Sequence, residues 1–496
     1  MKIKHTNKNI FFLFWIFWGL LGLIITTMPA LQAQTLPNPI LEPDTAILLY
    51  NWDDPDLPGS FFYNNTYNDV WGIAINGHEY AIIGSTMGTH IFDITDISNV
   101  AQVAFIEGAL TGGDVIHRDY ADYNGYLYIV CDEGLGISTL QIIDLQQLPA
   151  AAPIVYDSND IFTMAHTVTI DTATAKLYAN IPSHNNGQRY SLEVYSIENI
   201  IPQYLNTLNL PDYVHDCFVR NDTAYLSTSY AGLYIYYFGN PQQPLPIGSL
   251  TTYPQSGYNH SCWPTENGQY VIFADENHGS PVKVADISDL NDIQVVAQFT
   301  SGVSPNSIAH NPVIRGQYVY VSYYHDGLQI FNIADPTNPF KVAEYKTYLP
   351  SDHDSYRGAW AVFPFLPSGR VLVADMQYGL YVFDVTSTDD PLPTALYPST
   401  TAPTNAPMWQ AAAQWNNTVI NLSIDNAQAE QPFELRLYNI YGQIIMEKKD
   451  LTATNNGKTY LQIPINDNKN NIPQGLYLLQ IKSNTEQQII KLYCNK

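Results

Sequence analysis

The stretch HDCFVRNDTAYLSTSYAGLYIYYFG, residues 215–239, opens on a histidine and continues with a β-rich run, a turn, a second β-rich run and the motif LYIYYFG. Short runs rich in β-branched and aromatic residues, punctuated by turns, read as strands rather than helices. Outward from it the same grammar comes round seven times. The signposts that open each round are Trp71, His117, His166, His215, His260, His310 and Trp360, with gaps of 46, 49, 49, 45, 50 and 50 residues. The later motifs read HIFDITD, LQIIDLQ, LYIYYFG, VKVADIS, LQIFNIADP and LYVFDVT. A period of 40 to 50 residues with about four short strands per unit is the signature of a propeller blade. The expected fold is therefore all-β, a seven-bladed β-propeller followed by a small C-terminal β-sandwich.

The blades are expected at 68–110, 111–158, 159–211, 212–254, 255–302, 303–350 and 351–398, within a ring spanning 34–398. Two segments compete to close that ring: Ala46–Trp52, lent to the last blade from the N-terminal side, and Pro393–Tyr397, the last blade's own fourth strand. A Thr/Pro-rich linker, 399–410, contains STTAPTNAP. Beyond it, residues 411–496 hold alternating strands (TVINLSI, ELRLYNI, TYLQIPI, LYLLQI, QIIKLY) and turns of sandwich type.

Composition narrows the classes. The chain has 37 Tyr and only 14% charged residues, which suits half-buried strands. Residues 31–410 carry 10 Lys+Arg against 39 Asp+Glu, a net of −29, whereas 411–496 carry 8 against 7, a net of +1. A strongly anionic ring repels phosphate backbones and argues against nucleic acid as a partner. At the front, Lys2, Lys4 and Lys8 precede an uncharged run from Ile10 to Ile25, with Ala30 and Ala33 after it. That is the layout of a secretory signal peptide, 1–33; an uncleaved membrane anchor is the alternative. The four cysteines, Cys131, Cys217, Cys262 and Cys494, show no metal-binding spacing. Cys217 and Cys262 follow repeat histidines of neighbouring blades, so either an inter-blade disulfide or a pair of buried free thiols is open to them.

The tail resembles the C-terminal sorting domain of the type IX secretion system. The resemblance is carried by Leu437–Gln443 (LYNIYGQ), Ile472–Leu479 (IPQGLYLL) and Gln488–Leu492 (QIIKL). It implies export by that machinery, with the product released or attached at the outer-membrane surface. The ring resembles the choice-of-anchor B family of extracellular propellers with LVIVD-type repeats. The matching pieces, in family order, are Asn68–Gly72, Glu79–Gly84, Arg118–Tyr120, Ala165–His166, Val214–Asp216, Tyr258–His260, Asp275–Glu276, Ala309–Asn311 and Arg357–Trp360. Thr167 after His166 departs from the family pattern, and the stretch after Val219 is shorter than usual. This resemblance implies location more than chemistry.

In a blade the first strand descends along the central channel and the second climbs back. Residues opening the first and closing the second therefore share one face. The openers His117, Arg118, Asp119, His166, His215, Asp216, His260, His310, Asn311 and Arg357 form the expected ligand- or partner-binding set. The closers Asp132, Glu133, His184, Asp275, Glu276, His278, His325 and Asp326 ring it with further titratable groups. Three readings compete for the repeated histidine. It can pin blades in register by bonding a neighbouring turn, since buried polar groups need partners. It can help hold a divalent metal, Ca, Zn or Mn, with the nearest clusters at Asp132, Glu133 and His117 and at His260, Asp275 and Glu276. It can do acid–base work in a metal-assisted extracellular hydrolase or lyase. No catalytic motif supports an enzyme: GxSxG, HExxH and P-loop patterns are absent. The primary expectation is thus a binding propeller whose ligand, a glycan or a protein, docks at the His/Asp-lined face.

Two weaker signals accompany it. Tyr234, Tyr236 and Tyr237, and Tyr318, Tyr320, Tyr323 and Tyr324, are either stacking surfaces or strand residues packed between blades. The triplets Asp44-Thr45-Ala46, Asp171-Thr172-Ala173 and Asp222-Thr223-Ala224 resemble an O-glycosylation signal.

Overall fold

The computed structural model describes residues 46–385 continuously and seven further strands between Gln410 and Cys494. The signal region and the Pro393–Tyr397 candidate lie outside the described residues. Within 46–385 the chain forms seven antiparallel four-stranded sheets. The first six are continuous in sequence, beginning with Tyr67–Ile75, Arg118–Tyr123, Thr167–Asp171, Asp216–Arg220, Asn259–Pro264 and Asn311–Arg315 as inner strands. Each inner strand packs on the next, and the seventh, Ala359–Phe363, packs back on Tyr67–Ile75. The seven sheets therefore form a closed ring.

The seventh sheet answers the question the sequence left open. Its three own strands, Ala359–Phe363, Val371–Asp375 and Gly379–Asp384, are completed by Ile47–Trp52 from the N-terminal side. Asn51 Nδ2 donates to the carbonyls of Tyr378 (3.0 Å) and Leu380 (3.1 Å), and the Trp52 ring packs 4.7 Å from Phe92 in the first blade. The latch thus joins both ends of the ring. At the junction Gly379 has φ +83°, and a Cβ there would lie 2.0 Å from the Trp52 carbonyl oxygen. Only glycine accepts that approach and that conformation together.

The core is distributed between blades. Tyr320, Leu328 and Ile330 of the sixth pack with Val371, Val373 and Phe383 of the seventh, all buried. Full burial of such a side chain is worth roughly 1.5–3 kcal/mol, so each blade is held chiefly by its neighbours. Tyr318, Tyr320 and Tyr323 are buried in these layers, so of their two readings they follow the second, strand residues packed between blades. Cys131, Cys217 and Cys262 are free and buried. Thr223 of one triplet is buried in a strand, whereas Thr172 of another is exposed.

In the tail, one sheet holds Gln410–Asn416, Val419–Asp425 and Lys458–Pro464, the other Ile444–Thr452, Pro432–Asn439, Gly475–Lys482 and Gln487–Cys494. Alternate residues turn inward: Ile420 and Leu422 in one sheet, Leu435, Leu437, Leu479 and Ile481 in the other. That period-2 burial is what two packed antiparallel sheets require.

Candidate functional site

The register of the first two strands in each blade fixes the site. His166, His215 and His310 donate their backbone N–H to the carbonyls of Asn180 (2.9 Å), Ser227 (2.8 Å) and Ser322 (3.0 Å), the residues that close the paired second strands. Repetition around the ring carries these histidines to the channel mouth. Their rings meet in sequence: His117–His166 (5.0 Å between centroids), His166–His215 (4.1 Å), His215–His260 (4.1 Å) and His260–His310 (4.2 Å). Trp360 completes the circle, 4.8 Å from His310 and 5.2 Å from His117. This collar lines a cavity of about 310 Å³ whose wall also includes Tyr63, Tyr230, Tyr258, Glu276, Asn277, Tyr324 and Tyr356.

Each imidazole uses its two nitrogens differently. Nδ1 of His117 lies 2.5 Å from Glu133 Oε1, and Nδ1 of His166 lies 2.8 Å from Asp132 Oδ2. Nδ1 of His215 donates to the His260 carbonyl at 3.3 Å, and Nδ1 of His310 donates to the Trp360 carbonyl. His260 continues the pattern more loosely. The His310 backbone acts on its ring, but its Nδ1 has no partner at bonding distance. A carbonyl can only accept, so Nδ1 of His215 and His310 carries the proton and Nε2 keeps a free lone pair. Three of these contacts cross to the neighbouring blade: His166 to Asp132, His215 to His260 and His310 to Trp360.

Electrostatics divides the collar. Burial, reinforced by the neighbouring imidazoles, holds His215 and His260 well below the ordinary histidine range and brings His310 down to about 3. All three are neutral at physiological pH. Burial raises Glu276 to about 7, partly offset by the Tyr324 hydroxyl, which donates to Oε1 at 2.5 Å, and by His117. Burial also raises Asp132, but the hydrogen bond and charge of His166, with His117 and Arg189, outweigh it and leave this carboxyl below its usual value. Tyr324 sits at φ +41°, uncommon for a bulky residue, and its backbone pairs with Ala359 across the blade boundary. Such strain persists where surrounding structure over-determines it, as this double attachment does.

The channel residues behind the collar carry three buried carboxyls, Asp69, Asp119 and Asp216. Burial raises all three, Asp69 to about 7 and Asp216 to about 6; the hydrogen bond shared by Asp69 and Asp119 pulls the first down and pushes the second further up, together with the Asp69 charge. Asp119 Oδ2 accepts the Val168 N–H at 2.7 Å and Asp216 Oδ1 accepts the Cys217 N–H at 2.8 Å.

Of the expected binding set, the cavity wall receives His117, His166, His215, His260 and His310. It does not receive the others. Arg118 is buried between the first two blades, donating to the carbonyls of Ser85 (2.9 Å) and Leu110 (2.7 Å). Asp119 and Asp216 belong to the carboxyl layer, and Asn311 and Arg357 lie off the wall. Of the expected metal residues, Glu276 lines the cavity and Asp275 does not. Asp275 is fully buried, bonded to Lys283 Nζ (2.9 Å), Tyr253 Oη (2.8 Å) and the Gly257 N–H (3.0 Å), because alternate strand residues face opposite ways. Asp132 and Glu133 act through His166 and His117. Trp71 is the one signpost outside the collar; its indole N–H donates to Asp122 Oδ1 at 2.9 Å. The closers His184 and His325 form separate contacts, His184 with Glu193 (3.0 Å) and His325 with the His353 ring (5.0 Å). The aromatic wall was not expected. Only Tyr258, two residues before His260, and Tyr324, within an already singled-out run, carried a positional signal.

Residues 416–495 match the secretion system C-terminal sorting domain. The tail is therefore the address for type IX export, and the chain is destined for the extracellular space or cell surface. No curated protein matches the chain. Among solved structures it is similar to U3-55K, at 8% identity and a TM-score of 0.49 over 69% of this chain and 99% of that one. It is likewise similar to the RRP9 WD40 repeats, at 9% identity and a TM-score of 0.49 over 70% and 99%.

Proposed function

We propose that the chain is a secreted or surface-attached propeller of the choice-of-anchor B type, with LVIVD-type repeats, that binds an extracellular glycan or protein at the collar. One observation carries this reading: five imidazoles and an indole from six blades close into a circle before a cavity of about 310 Å³. Register pinning alone needs only the Nδ1 contacts and leaves the inward nitrogens without a role. The wall adds stacking surfaces, since Tyr230 is 72% exposed while packing on Tyr258, and Phe62, 76% exposed, packs on Tyr63. Aromatic faces of this kind suit sugar rings and peptide side chains. A metal-assisted hydrolase or lyase at the same face is the second reading, favoured by the proximity of His215, His260 and Glu276.

The test uses the full secreted chain on a glycan-and-protein array beside Trp360→Ala and His166→Ala. A ligand captured by the parent and lost by both variants is the expected result. Capture that survives both substitutions overturns the assignment of this face.

A further inference from the structure

We infer that His215, His260 and Glu276, with His310 beside them, form a site for one divalent transition-metal ion of the zinc class, with a coordination position open to the cavity. This deepens the ligand-binding reading and rests on the same pocket. One ligand atom from each of the three core residues lies within 4.8 Å of the others. Glu276 Oε2 is 3.7 Å from His260 Nε2, and Oε1 is 4.0 Å from His310 Nε2. Two ligands bonded to one ion at about 2.0–2.2 Å sit roughly 3–3.5 Å apart, so the Glu276–His260 pair must close by a few tenths of an ångström, and atoms as far apart as 4.8 Å by about an ångström or more, to seat the metal.

Three further features distinguish this arc from a chance cluster. The Nδ1 protons of His215 and His310 are engaged by backbone carbonyls, the outer contact that orients metal-bound histidines and leaves Nε2 free. His260 and His310 are only 4% and 3% exposed and line the cavity wall, so what exposure they keep opens on the pocket. No Lys or Arg lines the cavity, and among the described residues the ion-pair partners of Glu276 are these histidines. Imidazole and carboxylate together select zinc-class ions rather than calcium, which prefers six or more oxygens.

The other arc is different. One ligand atom each of His117, Asp132 and His166 also lies within 4.8 Å of the others, but there Asp132 spends Oδ2 on His166 and Oδ1 on Arg189 (3.2 Å). His117 and His166 then face the open side of the ion, where an anionic or carbonyl group of a ligand would approach.

The experiment takes the full mature chain, stripped by chelator, and titrates it with Co²⁺ by visible absorption and with Zn²⁺ against a chromophoric chelator. One equivalent is expected, with cobalt bands of a low-coordinate imidazole site, and Zn²⁺ affinity reduced more than about a hundredfold in Glu276→Gln and His260→Asn. His353→Ala, in the separate contact with Asp326 (2.8 Å), should bind as the parent does. Thermal melts of each variant separate lost binding from lost folding, and Glu276→Gln keeps the test open should His260→Asn fail to fold. Absence of saturable binding, or equal affinity in Glu276→Gln and the parent, overturns the metal site. Pocket-dependent capture on the array by the metal-free chain would then leave the ligand-binding reading standing; loss of that capture as well would remove both.

Discussion

The two arcs of the histidine collar share a residue type, a repeat position and a strand register, yet they differ in chemistry. On the arc of the second and third blades, His117 and His166 bond carboxylates, Glu133 and Asp132. On the arc of the fourth to sixth blades, His215 and His310 bond carbonyls instead, and His215, His260 and His310 are all buried. A carboxylate partner sets a negative charge beside Nδ1; a carbonyl partner in a dry site fixes a neutral tautomer. The repeat therefore sets where the ring stands, and the neighbour in space sets what it does. Pinning and ligation are not rivals here, because Nδ1 serves the first and Nε2 is left for the second.

The largest expected difference between the arcs is in stability. His310→Ala should cost about 1–3 kcal/mol, because it removes a buried ring and its Nδ1 hydrogen bond, leaving the Trp360 carbonyl with the Ser322 hydroxyl as its remaining side-chain donor. His117→Ala should cost no more than about 1 kcal/mol, since its Glu133 pairing is part-exposed. Denaturant unfolding of both variants checks this, and equal losses would erase the distinction.

Acid sharpens it next. His310 is held down to about 3, so the folded form binds fewer protons than the unfolded one between that value and the ordinary 6.5. Its contribution is present above pH 6.5 and is lost as pH falls toward 3. The buried carboxyls run the other way. Asp216, raised from 3.8 to about 6, contributes stability at low pH that is lost as pH rises through 6. His310→Asn should flatten the acid side of the stability–pH curve and Asp216→Asn should steepen it, both read from melting temperatures between pH 4 and 7. A parallel shift in either variant would refute the assignment.

The smallest effect concerns Glu133→Gln, which keeps shape and removes charge. It should leave the melting temperature within a few degrees of the parent, because the His117–Glu133 pair is partly exposed and Gln keeps an oxygen for the Ile116 and His117 N–H groups. A loss as large as that of His310→Ala, read by the same melts, would show that this arc is pinned as firmly as the other.

Much of the ring was legible in the chain. The spacing of His117, His166, His215, His260 and His310 placed them at one height, and strand sterics made each unit a blade. What could not be read was which way the following residue turned. Asp275 and Glu276 are adjacent in sequence, but the pleat sends one to Lys283 in the core and the other into the cavity. Tyr63 lay before the first repeat and Tyr356 four residues ahead of the seventh signpost, Trp360, so nothing periodic announced them. Arg118 carried a binder's chemistry, and burial between blades turned it into a brace.

By itself the sequence determined the repeat, the seven sheets and the sorting tail, because each depends on local alternation and short-range turns. Tertiary structure alone decided that Ile47–Trp52 closes the ring and that His215, His260 and Glu276 converge. Those outcomes depend on contacts between residues tens to hundreds of positions apart, which exist only once the circle has closed.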